Sequence, residues 1–419
     1  MSLSDDFSVV AVLKRIARYV GSCDVASLGG AVNDGTAGHA LFLAYAQRSL
    51  RDDSLADRVI QMITHAAHWA HRQRDMALVG GSAGVAWVVQ HLYAKIGLIE
   101  DDPLQRFDEG LLAYLRGPNA LLEAELLKGL AGIASYLLER LPAENAFAGL
   151  EEVAKRLRET AVEDDSGLKW LSYPQRLGFD GPEYQPTFVN LGMAHGVPGV
   201  ISVLARMHVA GVAGAAELLY GAAKWMVHAC GEAPRPYWYP CEVLSTGAPG
   251  RGSRMAWCYG DVGIALALTH AAVALDDKRL RAFAHSLAVH AASVRDDTTP
   301  GWPQDASLCH GTAGLAQLFR CLAADHGDQR LSDAAGFWMI ETLRLATTTA
   351  SVHSLYASRQ PRFTAGGHRF VWGKDHGLLT GASGVGLVLA SELLPTSPTW
   401  STVLSMNQAQ KAENVTITA

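Results

Sequence analysis

The sequence predicts an all-α fold, an α/α toroid of seven inner and seven outer helices, and three observations predict it. A Gly-x-x-Gly unit recurs seven times, each copy opens a nearly all-apolar segment, and amphipathic segments lie between the copies. The copies begin at Gly35, Gly81, Gly129, Gly196, Gly260, Gly311 and Gly381, at intervals of 46 to 70 residues, a length that suits two helices with their loops. Helices with one polar face and helices apolar all round bury their surfaces as an outer and an inner layer, closed into a ring about a central cavity. An open helical solenoid is the rival arrangement.

Taken in order, Val9, Val12, Leu13, Ile16 and Val20 share one helical face with Lys14, Arg15 and Arg18 opposite, so an outer helix precedes the first copy. The stretches after the second and third copies, Gly84-Val-Ala-Trp-Val-Val-Gln-His-Leu92 and Gly132-Ile-Ala-Ser-Tyr-Leu-Leu138, alternate too little for strands and read as helices buried on most sides. Glycine suits the start of each, because a residue without Cβ lets the backbone turn tightly and lets neighbouring helices approach. Residues 231–254, rich in Pro, Gly and aromatics, interrupt the repeat ahead of the fifth copy and read as a wall or lid over the cavity. Residues 1–395 form one domain on this reading, and the polar, aperiodic residues 396–419 form a mobile tail.

The chain has 419 residues, 49% of them hydrophobic, enough for a large core, and ring closure accounts for a single domain of this size. A formal net charge of −6 without a basic cluster argues against nucleic acid as a partner. There is no signal-peptide pattern and no apolar run of about 20 residues free of polar breaks, so no transmembrane segment is expected and a cytoplasmic location is. Six cysteines spread over this length are not a disulfide framework; Cys23, Cys230, Cys241 and Cys321 read as reduced, packed thiols.

Cys258 and Cys309 stand apart. Each lies two residues ahead of its Gly-x-x-Gly, in Trp257-Cys258-Tyr259-Gly260 and Cys309-His310-Gly311, so each marks the mouth of an inner helix. Consecutive inner helices of a toroid are neighbours, which brings Cys258, Cys309 and His310 together as three soft ligands for zinc with a fourth position open, the pattern of a catalytic site.

With those motifs, and with Leu191-Gly192-Met193-Ala194-His195-Gly196 and the closing Gly377-Leu-Leu-Thr-Gly381-Ala-Ser-Gly384-Val-Gly386, the chain resembles the lanthionine synthetase C-like family, and within it the stand-alone lanthipeptide cyclases, from about Leu28 to Leu394. The resemblance implies a toroid of seven inner and seven outer helices, one zinc ion per chain held by Cys258, Cys309 and His310, and closure of thioether rings by addition of cysteine thiols to dehydroalanine or dehydrobutyrine. It also implies a dehydrated precursor peptide as substrate and a separate dehydratase as partner, with a place at the periphery of a membrane-associated complex.

His195 precedes Gly196 as His310 precedes Gly311. Its position and the family motif make it the candidate acid that protonates the α carbon, against a role in capping its helix. Arg254 matches a family arginine and reads either as a ligand for the enolate oxygen or as a solvated loop residue. Tyr259 matches too, as a hydrogen-bond donor near the zinc or as packing surface. Where family members carry an aspartate this chain has Glu125, which reads as a partner of His195 or of the substrate, or as an exposed carboxylate. His39, His368 and His376 are expected to be structural, and Asp34, Asp261 and Asp305 to serve helix starts. Residues 351–374, with Arg359, Arg362, His368 and Arg369, read as a solvated loop or a contact for an acidic leader peptide. The same zinc site would serve a family enzyme that adds glutathione to electrophilic peptides, and a non-catalytic scaffold is the second alternative.

Overall fold

A ring of inner helices, each entered through the same tight turn, organises this protein. The computed structural model describes residues 8–96, 102–118, 123–173, 188–231, 236–345, 359–364, 367–372, 375–395 and 399–407. The inner helices are α2 (Thr36–Leu50), α4 (Ser82–His91), α6 (Leu130–Glu139), α8 (Val197–Val209), α10 (Asp261–Ala274), α12 (Thr312–His326) and α14 (Ala382–Glu392). Outside them lie α1 (Val9–Gly21), α3 (Ala56–Ala70), α5 (Gln105–Arg116), α7 (Glu144–Thr160), α9 (Ala215–His228), α11 (Lys278–Ser293) and α13 (Gln329–Leu345). Each inner helix packs on the next, α14 packs back on α2, and α1 bridges α14 and α2, so the ring is closed and the open solenoid is excluded.

Local sequence explains the two layers. In α1 the buried residues are Val12, Leu13, Ile16, Ala17 and Val20, one helical stripe. In α10 every residue from Asp261 to Ala272 is buried. The accessible part of the ring interior, among the described residues, is therefore its rim. The second glycine of each unit permits close contact with the preceding turn: a Cβ at Gly84 would fall on the Leu78 carbonyl oxygen, and one at Gly314 on that of Leu308.

The entry turn is itself a repeat. Six residues before the first glycine stand Asp75, Asn190, Asp305 and Asp375 in the second, fourth, sixth and seventh units. Each side-chain Oδ1 accepts the backbone N–H two residues on, from Ala77, Gly192, Ser307 and Gly377, at 2.8 to 2.9 Å. The carbonyls of Asp75, Asp305 and Asp375 accept from the first residue of the following helix.

A belt of backbone hydrogen bonds ties these turns to one another through the residues two before each glycine. Asn33 donates to Val79 (3.4 Å), Val79 to Leu127 (3.0 Å), Ala194 to Cys258 (3.4 Å), Cys258 to Cys309 (3.2 Å) and Cys309 to Leu379 (2.8 Å), and the neighbouring Leu378 donates to Asn33 (2.5 Å). Among the described residues the series has one gap, between Leu127 and Ala194.

Three two-stranded sheets decorate the ring: β1 (Val162–Asp164) with β2 (Gly167–Lys169), β3 (Phe188–Asn190) with β4 (Glu242–Leu244), and β5 (Arg359–Thr364) with β6 (Gly367–Trp372), all antiparallel. The described part of residues 231–254 is tied to its neighbours by hydrogen bonds. Asp261 accepts the N–H groups of Trp238 (2.8 Å) and Tyr239 (3.1 Å), and Tyr237 donates to the Pro300 carbonyl (2.6 Å). The side chains of residues 351–374, with Arg359, Arg362, His368 and Arg369, lie outside the described residues.

The end of the chain departs from the expected mobile tail. Thr399–Leu404 form a 3₁₀ turn whose residues from Trp400 to Leu404 are buried, and Met406 follows them into the core. Trp400 donates its indole N–H to Ser391 (2.9 Å), while Ser135 and Arg206 both donate to the Thr402 carbonyl (3.3 Å each). This strap packs against α4 and α6 at the end of the ring opposite the glycine turns. The Trp400 indole and the Thr402 carbonyl thus meet side chains of the inner helices, a partnership that a linear hydropathy reading does not reveal. Residues 408–419 lie outside the described residues. Trp400→Ala should lower unfolding stability by about 3–5 kcal/mol in urea titrations; an unchanged midpoint would show that the strap does not pack.

Candidate metal centre and active site

Cys258 and Cys309 both occupy belt positions, which explains their convergence. The Cys309 carbonyl accepts from Trp257 (3.1 Å) and from Cys258 (3.2 Å), so the two turns are clamped side by side. Sγ of Cys258, Sγ of Cys309 and a ring nitrogen of His310 all lie within 4.8 Å of one another. Two thiols and an imidazole at this spacing are a soft donor set that fits zinc after a small contraction.

Behind His310 stands Asp305, 2% exposed at its side chain, with Oδ2 3.4 Å from His310 Nε2. A carboxylate on the far nitrogen of a ligating histidine fixes the ring and raises its basicity. Asp305 was expected only to serve a helix start, and it does cap its turn, yet it also backs the candidate ligand. Its place six residues before Gly311, in register with Asp75 and Asp375, is the sequence signal that marks it as built into the turn.

Electrostatics favour a shared proton between the thiols. The Cys309 S–H donated to Cys258 holds the Cys258 thiol well below its ordinary range against the cost of burial, with further help from His310 and the Arg254 charge. Cys309 is pushed up by the same hydrogen bond and by burial. Burial alone would lower the His310 pKa, but hydrogen bonds to Asp305 and Cys258 raise it to about 10.

The one gap in the belt is filled by side chains. Glu125 is 3% exposed and its Oε2 lies 2.6 Å from Nδ1 of His195. The same carboxylate accepts the N–H of Leu127 (3.1 Å) and that of Lys128. The exposed-carboxylate reading of Glu125 is therefore corrected: its side chain turns inward because it caps its own turn and pairs with the next. Every other unit has Ala, Gly or Ser four residues before its glycine, so the lone glutamate there was visible in the sequence.

Tyr259 and Arg254 complete the rim. The Tyr259 hydroxyl accepts from Asn190 Nδ2 (2.9 Å), and its ring packs against Gly192, where a Cβ would come within 2.8 Å of it. Burial pushes the phenol pKa to about 12. Arg254 is exposed, with its guanidinium 5.8 Å from the Tyr259 ring centre. Gly301, at φ +79°, lies so close to the Arg254 backbone that a Cβ would meet it at 2.7 Å. Arg251, 6.0 Å from the same ring, pairs with Glu242 through two hydrogen bonds. Asn190 is a residue that sequence reasoning missed. His39 is fully buried, with His376 6.1 Å away, ring centre to ring centre, and His376 in turn stacks on Tyr19.

A closed α/α toroid with a Cys-Cys-His cluster at the mouths of two consecutive inner helices defines the class. The sequence profile described as Lanthionine synthetase C-like protein matches residues 27–405, and the chain belongs to that family. Among curated proteins it is similar to the nisin biosynthesis protein NisC of Lactococcus lactis subsp. lactis, 25% identical over 261 residues. That match covers 58% of this chain and 61% of NisC, less than two thirds of the relative's length. Among solved structures the fold is similar to a nisin cyclase with a TM-score of 0.71 at 20% identity, covering 94% of this chain and 96% of the other.

Zinc added to metal-free protein at neutral pH should expel about two protons, one from Cys309 and one from His310, since both are raised while Cys258 is lowered. Affinity should accordingly rise with pH, and less steeply above about 10, where His310 has lost its proton unaided and Cys309 still holds its own. Calorimetry in buffers of different ionisation enthalpy counts the protons, and release of none would contradict the thiol and imidazole arrangement.

Proposed function

We propose that this protein is a zinc-dependent lanthipeptide cyclase that joins cysteine thiols of a precursor peptide to dehydroalanine or dehydrobutyrine in the same peptide. The observation that carries the reading is the meeting, on one rim, of a three-donor soft metal site with a carboxylate-held histidine. Cys258, Cys309 and His310 would hold zinc, which when bound supplies the acidity that deprotonates an incoming thiol at neutral pH, where a free thiol of pKa about 8.5 is mostly protonated.

The chain's residues account for the remaining needs of a conjugate addition. The thiolate sulfur forms a bond to the β carbon of the dehydro residue, and the electron pair moves to the carbonyl as an enolate. Arg254 and Tyr259 are the cationic and hydrogen-bonding groups suited to that oxygen. The enolate then takes a proton at its α carbon, and His195 is the acid. Glu125 on Nδ1 fixes the ring and makes Nε2 the nitrogen that exchanges the proton. Glutamate reaches His195 here because its turn is held by the Leu127 and Lys128 N–H groups. Asp305 holds His310 in its ligating orientation.

On this reading a separate dehydratase supplies the dehydrated peptide, and a cytoplasmic location is part of the same proposal. Among the described residues no helix is long and apolar enough to cross a membrane.

Two variants test the division of labour. Cys309→Ala should lose both zinc and cyclised product, whereas full cyclisation by the metal-free variant would sink the mechanism. His195→Asn should retain zinc, measured by metal analysis, and slow ring formation by about a hundred- to ten-thousand-fold in a mass-spectrometric assay on dehydrated peptide. Loss of zinc in His195→Asn would instead make His195 a ligand or a structural residue. Product carrying added glutathione in place of rings would point to the intermolecular reaction.

A further inference from the structure

Asn190 is fully buried at the end of β3, opposite Glu242 of β4, and its amide makes two hydrogen bonds of fixed direction. Gly192 N–H donates to Oδ1 at 2.8 Å, and a backbone N–H can only donate, so the oxygen must face it. That leaves Nδ2 to face the Tyr259 hydroxyl at 2.9 Å, and an amide NH₂ can only donate. The Tyr259 oxygen is thereby held as an acceptor from Asn190, and its own proton must be given to some other partner.

The repeat shows that this is a special use of an ordinary position. In the second, sixth and seventh units the equivalent residue is Asp75, Asp305 or Asp375, whose Oδ1 caps the same turn with the same geometry. An aspartate satisfies the turn but has no hydrogen to give when ionised. The fourth unit, which faces the Cys258 turn through the Ala194 to Cys258 bond, has the one residue of the four that both caps the turn and donates outward. The same short segment carries His195, and Gly192 packs directly on the Tyr259 ring.

We propose that Asn190 is a positioning residue that commits the Tyr259 phenol to donate its proton toward the reacting peptide beside Cys258. Asn190 acts only through Tyr259 and touches no reacting atom. The consequence for turnover rests on the cyclase reading above; the direction of the hydrogen bond does not.

Asn190→Asp is the decisive variant, because it keeps shape and turn cap, as three other units show, and reverses one hydrogen bond. At alkaline pH the ionised carboxylate can only accept, so Tyr259 must turn its proton back to residue 190. The tyrosine Fermi doublet in ultraviolet resonance Raman spectra distinguishes a phenol that accepts from one that donates, and Tyr259→Phe isolates the Tyr259 contribution by difference. We expect a Tyr259 that accepts in the zinc-loaded wild type, whether or not it also donates, and one that only donates in Asn190→Asp, with zinc content unchanged. An unchanged doublet would overturn the proposal whether or not the protein cyclises peptides.

In the cyclisation assay kcat should fall about 10- to 100-fold with KM held, and Asn190→Asp should cost nothing further in a Tyr259→Phe background. Wild-type turnover in Asn190→Asp, or full additivity of the two substitutions, would likewise overturn it. Should the buried carboxylate prevent folding, Asn190→Ala decides the same question: Tyr259 must lose its accepting signature, and retention of that signature refutes the relay.

Discussion

The backbone belt that joins one glycine turn to the next is the interaction on which the rest of this structure depends. An N–H to carbonyl bond fixes two turns to within a few tenths of an ångström, far more tightly than apolar packing of two helices could. Side chains carried at belt positions inherit that precision. Cys258 and Cys309 are such residues, and the bond from Cys258 N–H to the Cys309 carbonyl brings their sulfurs together. The main chain thereby places the donors of the candidate metal centre.

The break in the belt is as informative as its continuity. Between Leu127 and Ala194 the N–H of Leu127 turns to its own unit's Glu125, and the Glu125 carboxylate reaches His195 in the next. A side-chain bond thus replaces a backbone bond at this junction. The fourth turn leans on the fifth through Ala194 and Asn190, and the fifth on the sixth through Cys258, so His195, Tyr259 and the Cys258, Cys309 and His310 cluster belong to one connected set of turns.

Sealing the other end of the ring is the work of the C-terminal strap. Thr402 offers its carbonyl to Ser135 and Arg206, and the Trp400 indole finds Ser391, so polar groups at the far ends of the inner helices are satisfied by this segment. With the inner helices buried along most of their length, the exposed part of the candidate site lies at the glycine-turn rim. A peptide substrate would meet the protein there, on the face that carries Arg254, His195 and His310.

The sequence by itself determined the ring and the meeting of Cys258, Cys309 and His310. Seven glycine units, apolar helices after them and amphipathic helices between them require two layers, and the register of Cys258 with Cys309 and His310 follows from counting back from each glycine. His195 was legible on the same count. What only the tertiary structure decided were pairings between units: Glu125 with His195, Asp305 behind His310, Asn190 beneath Tyr259, and the strap from Trp400 to Met406 against the inner helices. The physical reason is that periodicity reports which face of its own helix a residue occupies. The partner of a polar side chain is set by which turns the closed ring brings into contact and by how each backbone N–H is satisfied there.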